Sequence, residues 1–348
     1  MTTVWVEGFE SHFTGQQMQR KYASFSGSFS SQAGRVFGTA GGPASAVAIT
    51  PSFGTDNTIT MGFGLRFNAH STLVNSGAQG LYVELGASEQ CHVEMESNVS
   101  LGFRFDIYRG STLIASSSRF AFGVWHYFEI QLTVRTGTNG AYEIRHNGVL
   151  DVNAGSVNLA DTGGDGWDIW AMRYSSNLGS IVRYDDMFVN NGAGSTNTSF
   201  LGPSIVEGLL PNANGATIQW TNNGTGDNYT SVDDVGTSNP DDTGAGGTNG
   251  SDTNAQIDLY AFEDLQHITG TVHAVQVGIQ LAMAAAGTRT VRGKYRDPDT
   301  TVVNLDSHVV DATAFDEFTQ TLDQNPNSAA AWDIADIDDG QFGVEVVS

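Results

Sequence analysis

Asp161, Asp165 and Asp168 fall in one glycine-rich stretch, Asp-Thr-Gly-Gly-Asp-Gly-Trp-Asp. Carboxylates spaced along a flexible loop are hard oxygen ligands of the kind calcium takes. The spacing is not that of an EF-hand. Calcium is nonetheless the one cofactor this chain offers to bind, and these three aspartates are its candidate ligands. Trp167 lies in the same stretch, and Trp170 and Tyr174 follow it. Aromatic faces beside polar loops are what sugar rings stack on, so Trp167, Trp170 and Tyr174 are the candidate carbohydrate contacts, Trp167 first. Glu94 and Glu96 stand two apart in an alternating segment, which puts two carboxylates on one face of a strand. Glycoside hydrolysis needs such a pair, but two glutamates at this spacing are ordinarily solvated charges.

Other chemistry is missing. No glutamate is followed two residues later by aspartate, so the Glu-x-Asp-x-x-Glu strand of glucanases is absent. Gly-x-Ser-x-Gly, a phosphate-binding Walker loop and His-Glu-x-x-His are absent too. The 8 histidines are scattered without ligand spacing, and a single cysteine, Cys91, forbids an intrachain disulfide. The expectation is a protein that is not an enzyme.

The elements that must position these residues are strands. Gly123–Val134 reads Gly-Val-Trp-His-Tyr-Phe-Glu-Ile-Gln-Leu-Thr-Val and alternates with period two. His126, Phe128, Ile130, Leu132 and Val134 should face a core, and Trp125 is expected to cap it. Met61–Phe67 and Leu101–Ile107 alternate in the same way, and Asn147-Gly148 marks a tight hairpin. Two turns of helix are expected over Gln16–Ala23, short strands at Arg35–Phe37 and Val47–Ile49, and a glycine turn at Gly38–Gly42. Asn190–Ser199 has linker composition, which predicts domains over 1–199 and 200–348. In the second, strands are expected at Ile205–Leu210, Ala216–Trp220, Ile257–Phe262, Val272–Met283, Thr288–Arg296, Val302–Val303, Val309–Val310 and Phe342–Val347. A long loop at Gly236–Asn254 and one helical turn at Asp333–Asp338 complete it.

Composition agrees with an all-β chain: 42 glycines among 348 residues, and only 15% charged residues. The balance of 38 acidic against 15 basic side chains gives a net charge of −23. Such a surface repels phosphate backbones and anionic lipid, so neither nucleic acid nor membrane is an expected partner. The start of the chain runs directly into a strand pattern without a basic segment or apolar run, so no signal peptide is expected.

Gly-x-Trp-His-x-x-Glu-Ile-x-Leu at Gly123–Leu132, His-Asn-Gly at 146–148 and Arg-Tyr-Asp-Asp-Met-Phe-Val at 183–189 resemble the concanavalin-type jelly rolls, laminin-G-like and legume-lectin-like domains among them. The resemblance covers residues 1–200. It implies an N-terminal jelly-roll sandwich followed by a smaller C-terminal β-sandwich-like domain, with carbohydrate binding, adhesion or plain architecture as its uses. Over most of its length the chain also resembles tailed-phage virion proteins, through Phe-Leu-Gly-Pro at 200–203, Leu-Leu-Pro at 209–211, Trp332-Asp333 and Phe-Gly-Val-x-Val at 342–346. That resemblance implies a fibre or decoration component of a particle, made in a host cytoplasm. It would be symmetric and homo-oligomeric, with other virion proteins as partners and host surface glycans as a contact. A free lectin-like module and a glycan hydrolase are the alternatives.

Overall fold

The computed structural model describes residues 2–8, 24–35, 39–49, 56–68, 79–85, 88–98, 100–161, 164–167, 169–174, 182–192, 196–197, 200–224, 226–233 and 248–348. The chain divides into two compact units, Met1–Val206 and Glu207–Ser348. Each is built almost wholly of antiparallel strands, and no described helix is long and apolar enough to cross a membrane.

In the first unit the strands are β1 (Thr2–Glu7), β2 (Ser24–Ala33), β3 (Thr39–Ile49), β4 (Thr58–Phe67), β5 (Gln79–Leu85), β6 (Ser88–Asn98), β7 (Gly102–Arg109), β8 (Thr112–Ser116), β9 (Trp125–Thr133), β10 (Gly140–His146), β11 (Val149–Val157), β12 (Ile169–Tyr174) and β13 (Val182–Asn191). They form one continuous ladder in the order β11-β10-β9-β4-β13-β3-β12-β5-β6-β7-β8, with β1 also on β13 and β2 on β3. The ladder doubles over on itself. Phe63 of β4 meets Phe105 of β7 edge-on at 6.0 Å, and Phe105 meets Phe128 of β9 at 4.8 Å. The result is a jelly-roll sandwich, with Ile59, Met61, Phe63, Leu65 and Phe67 of β4 and Phe128, Ile130, Leu132 and Val134 along β9 in one core.

Asn147 (φ 49°) and Gly148 (φ 79°) supply the two left-handed residues of the β10–β11 hairpin, as the Asn-Gly dipeptide requires. Two expectations change. The serine-rich stretch before Gly34 and residues 39–42 of the expected glycine turn are strand: β2 pairs with β3 along their whole length, because ladder hydrogen bonds do not depend on apolar side chains. The helix expected at Gln16–Ala23 lies outside the described residues. Trp125 does not cap the core. Its even-numbered neighbours fill the interior, so Trp125 is left half-buried on the opposite face.

The second unit contains β14 (Pro211–Ile218), β15 (Thr221–Asn222), β16 (Asn249–Gly250), β17 (Ile257–Phe262), β18 (Val275–Leu281), β19 (Arg289–Arg296), β20 (Val302–Val310), β21 (Asp316–Leu322), the short helix α1 (Ile334–Asp338) and β22 (Gln341–Val346). A sheet of order β14-β17-β22-β19-β20 is covered by the β18–β21 ribbon. Ile279, Leu281 and Phe318 pack on Val291 and Val344, while Val275, Val277 and Leu322 pack around Tyr295, Trp332 and Phe342. The expected pair of short strands at 302–310 is one strand. β21 is a further strand, half polar in sequence and held by an unbroken register with β18.

One glycine in β4 is required by space. A Cβ at Gly62 would lie 2.1 Å from the Phe188 ring, whereas one at Gly155 would meet nothing within 4 Å. Gly62→Ala is therefore expected to destabilise the protein by about 1–3 kcal/mol through overpacking, and Gly155→Ala to leave it nearly unchanged. Denaturant midpoints of the two variants check this.

Candidate functional site

Alternation in β6 and β7 sends Cys91, Val93, Met95, Phe103, Phe105 and Ile107 into the core. Their neighbours form a polar outer face. Register sets His92 opposite Tyr108, Glu94 opposite Asp106 and Glu96 opposite Arg104. The His92 and Tyr108 rings stack at 5.2 Å with 14° between their planes. His92 is fixed from both sides: Nδ1 lies 2.7 Å from Glu89 Oε1 and Nε2 3.3 Å from Glu94 Oε1. Arg104 Nε stands 2.9 Å from both Glu96 Oε2 and Asp106 Oδ1, and Arg119 donates to Glu96 from β6's far end.

Burial, followed by the charges of Asp106 and Glu94, holds the Tyr108 hydroxyl above its usual range, so it remains a donor. The face thus offers a half-exposed aromatic ring, a phenol donor and a bank of carboxylate acceptors, the polar-plus-aromatic lining that sugar hydroxyls and ring faces require. Glu94 faces Asp106 across the strand pair, with Asp106 buried against Arg104. Cys91, directly beneath, takes no part. Burial first, and Glu89 second, push its thiol up to about 12, so no thiolate forms near neutrality.

The outer face of the opposite sheet is partly closed. Residues 200–206 cross it as a strap, from β10 over β9 to β13. The Arg145 guanidinium lies 3.9 Å from the centre of the Phe200 ring, Gly202 N–H donates to Glu129 Oε1 at 2.9 Å, and Val206 N–H donates to Asp186 Oδ1 at 2.8 Å. Arg35 locks the far end. Its Nε meets Asp186 Oδ2 at 2.6 Å, its backbone N–H donates to Asp185 Oδ2 at 2.6 Å, its guanidinium also donates to the Ser204 carbonyl, and the group lies 5.0 Å from the Tyr127 ring centre. Under this cover Glu129 is 1% exposed and its Oε2 has no hydrogen-bond partner. Burial raises its carboxyl despite the Gly202 and Leu201 N–H groups and Arg145.

The aspartates and aromatics singled out in the sequence are placed differently from expectation. Trp167 is fully buried. Its backbone is clamped to Asp56 by two hydrogen bonds of 2.9 and 2.7 Å, and its indole lies in the main core, so it cannot serve as a stacking platform. Trp170 and Tyr174 lie not in a loop but on β12, inside the ladder between β3 and β5. Asp165 Oδ1 accepts the N–H and hydroxyl of Thr136 at 2.7 and 3.0 Å, and these bonds lower its carboxyl. Asp161 is exposed beside Gly110, and Asp168 lies outside the described residues. Among the described residues no cluster of three or more His, Cys, Asp or Glu side chains is placed to hold a metal ion. Glu94 was legible as a face carboxylate. Its partners Asp106, His92 and Tyr108 come to it through register, which the sequence does not print.

No family model and no curated protein sequence matches the chain. Its fold is similar to that of the alginate lyase Aly36B (TM-score 0.35, 10% identity, covering 53% of this chain and 96% of that one). It is similar also to an endo-β-1,4-glucuronan lyase from Trichoderma reesei (TM-score 0.33, 13% identity, 55% and 96%). A third is the carbohydrate recognition domain of Emp47p (TM-score 0.33, 10% identity, 54% and 97%). The likeness concerns the fold alone. It also corrects one expectation. Polysaccharide lyases stand among the structures that share the fold, so the missing hydrolase and metalloenzyme motifs do not make this chain a non-enzyme.

Two buried titrations bear on stability. Burial, then the neighbouring Asp186 charge, pushes the Asp185 carboxyl up to about 7 from 3.8. A carboxyl raised on folding contributes stability at low pH that is lost as pH rises through about 7. On the core side, His126 Nε2–H donates to the Ala121 carbonyl at 2.9 Å, and its Nδ1 lies 2.9 Å from His146 Nε2. Burial and then His126 lower His146 below 6.5, so its contribution is complete above 6.5 and lost as pH falls. Between 3.8 and about 7 the Asp185 contribution therefore falls with rising pH, while below 6.5 the His146 contribution rises with it. In the denaturant midpoint measured across that acid range, Asp185→Asn should remove the fall and His146→Phe the rise. Identical profiles for wild type and both variants would contradict the assignment.

Proposed function

We propose that this chain is a glycan-binding jelly-roll protein carried on a tailed-phage particle as a fibre or decoration component, with the β6–β7 face as its sugar-binding surface. The observation that carries the glycan reading is the His92–Tyr108 stack, held half-open beside Glu94, Asp106 and Arg104. His92 is fixed by two carboxylates, which keeps Tyr108's inner face supported and leaves the ring rigid for a ligand, so little ordering entropy opposes binding. The concentration of carboxylates on this face favours a neutral or amino-sugar ligand over an acidic one.

The virion reading draws its support from the Phe-Leu-Gly-Pro, Leu-Leu-Pro, Trp-Asp and Phe-Gly-Val-x-Val segments and from the glycine-rich β composition. Three of those segments have clear structural work here: Phe200–Pro203 begins the strap over Glu129, and Trp332 with Phe342 fills the second unit's core. A second reading rests on Glu94 facing Asp106, which suits hydrolysis of the bound glycan.

On an array of neutral, amino and acidic glycans the wild-type chain should retain neutral or amino-sugar ligands, and Tyr108→Ala should weaken that binding by about ten-fold or more, equivalent to about 1.4 kcal/mol. Retention of no glycan, or unchanged affinity in the folded Tyr108→Ala variant, would overturn the glycan reading. New reducing ends that disappear in Glu94→Gln would favour hydrolysis. A fixed copy number in purified particles is the expected result for the virion reading, and absence from particles would refute it.

A further inference from the structure

Beyond the strap, the outer face of the β9–β4–β13 sheet opens onto one cross-strand row. Register places Arg66 of β4 between Trp125 of β9 and Arg183 of β13. All three side chains are half-buried. The alternating neighbours Leu65, Phe67, Val182 and Tyr184 lie in the core, so the row faces outward.

The juxtaposition is costly as it stands. Like charges directly opposite one another on adjacent strands repel. Both guanidinium Nε atoms are buried without an acceptor, and a buried donor left unpaired costs free energy. The chain has no shortage of carboxylates, with 38 against 15 cations, and Arg35, Arg104, Arg119, Arg145 and Arg292 each reach one. Among the described residues no carboxylate pairs with Arg66 or Arg183. The nearest along β13, Asp185, already accepts from the Arg35 and Asp186 N–H groups. An external oxyanion lodged between the two guanidinium groups would offset their mutual repulsion, and guanidinium pairs match carboxylate and sulfate geometry by parallel hydrogen bonds from their accessible N–H groups. Trp125 beside Arg66 supplies a face for the ring that carries that oxyanion.

We propose that Arg66, Arg183 and Trp125 form an acidic-glycan site, in which a carboxylate or sulfate on a sugar sits between the two guanidinium groups while the ring stacks on Trp125. This site lies on the sheet opposite the Tyr108 face and rests on separate residues, so its success or failure does not depend on glycan binding there.

The test is titration of the full-length protein with three tetrasaccharides of equal length: one of uronic acids, one neutral, one sulfated. In the Tyr108→Ala background, which removes the neutral-sugar face, an anionic tetrasaccharide should bind at least about ten-fold more tightly than the neutral one, and the stronger of the two anions distinguishes carboxylate from sulfate. Added salt should weaken binding. Arg66→Gln and Arg183→Gln should each remove that preference, and Arg183→Lys should keep part of it. Matching circular dichroism and melting curves establish that the variants fold, and Trp125→Ala supplies a variant that keeps both cations yet should still lose affinity. Equal affinity for the neutral and both anionic sugars, or an unaltered anion preference in the folded Arg66→Gln/Arg183→Gln variant, would overturn the proposal.

Discussion

The first unit depends on what Phe128 touches. Its ring meets Phe105 and Phe120 at 4.8 Å and Phe63 and Phe103 at 6.1 Å. Those partners come from both halves of the doubled ladder, so this one aromatic junction holds the halves at sandwich spacing. Once it is in place, period-two alternation leaves no freedom. Every even-numbered residue of β9 is committed to the core, and every odd-numbered one to an outer face.

The two outer faces solve the same problem in different ways. On the β6–β7 side, charges are paired at the surface: Arg104 and Arg119 neutralise Glu96 and Asp106, and His92 lies between Glu89 and Glu94. The face is polar, with His92 and Asp106 buried and Glu94, Arg104 and Tyr108 half-buried. On the β9–β13 side, a strap of chain covers acids that could not otherwise be buried. Glu129, Asp185 and Asp186 gain backbone N–H donors from Gly202, Arg35 and Val206 and one cation from Arg35. Two glycines on β4 keep that region low enough to be covered, since side chains at Gly62 and Gly64 would collide with Phe188 and Arg35. Beyond the strap, Trp125, Arg66 and Arg183 stand half-buried in a single cross-strand row.

Much of the fold was legible because alternation is a local signal. The strands around Met61–Phe67, Leu101–Ile107 and Gly123–Val134, the Asn147-Gly148 hairpin and the all-β class all follow from it. β2 was hidden because Ser24–Ala33 carries few apolar side chains and is held by backbone pairing with β3. The sites were harder to read. Glu94 was visible, but Asp106, His92 and Tyr108 join it only through register, and a shift of one residue would send each to the other face. Trp167 misled for the opposite reason: its glycine–aspartate surroundings suggest an exposed loop, yet the two-bond clamp to Asp56 draws the indole into the core. The strap residues 200–206 look like the start of a second domain until their contacts with Glu129, Arg35 and Asp186 are seen.

The most direct test of the central claim, that the β6–β7 face is the glycan-binding surface, is hydrogen exchange of the full chain with and without a glycan that it retains. The account predicts slowed exchange concentrated in peptides from β6 through β8, residues 88–116, with Tyr108→Ala abolishing the protection. Protection confined to the Glu207–Ser348 unit, or none at β6 and β7 under saturating ligand, would contradict it.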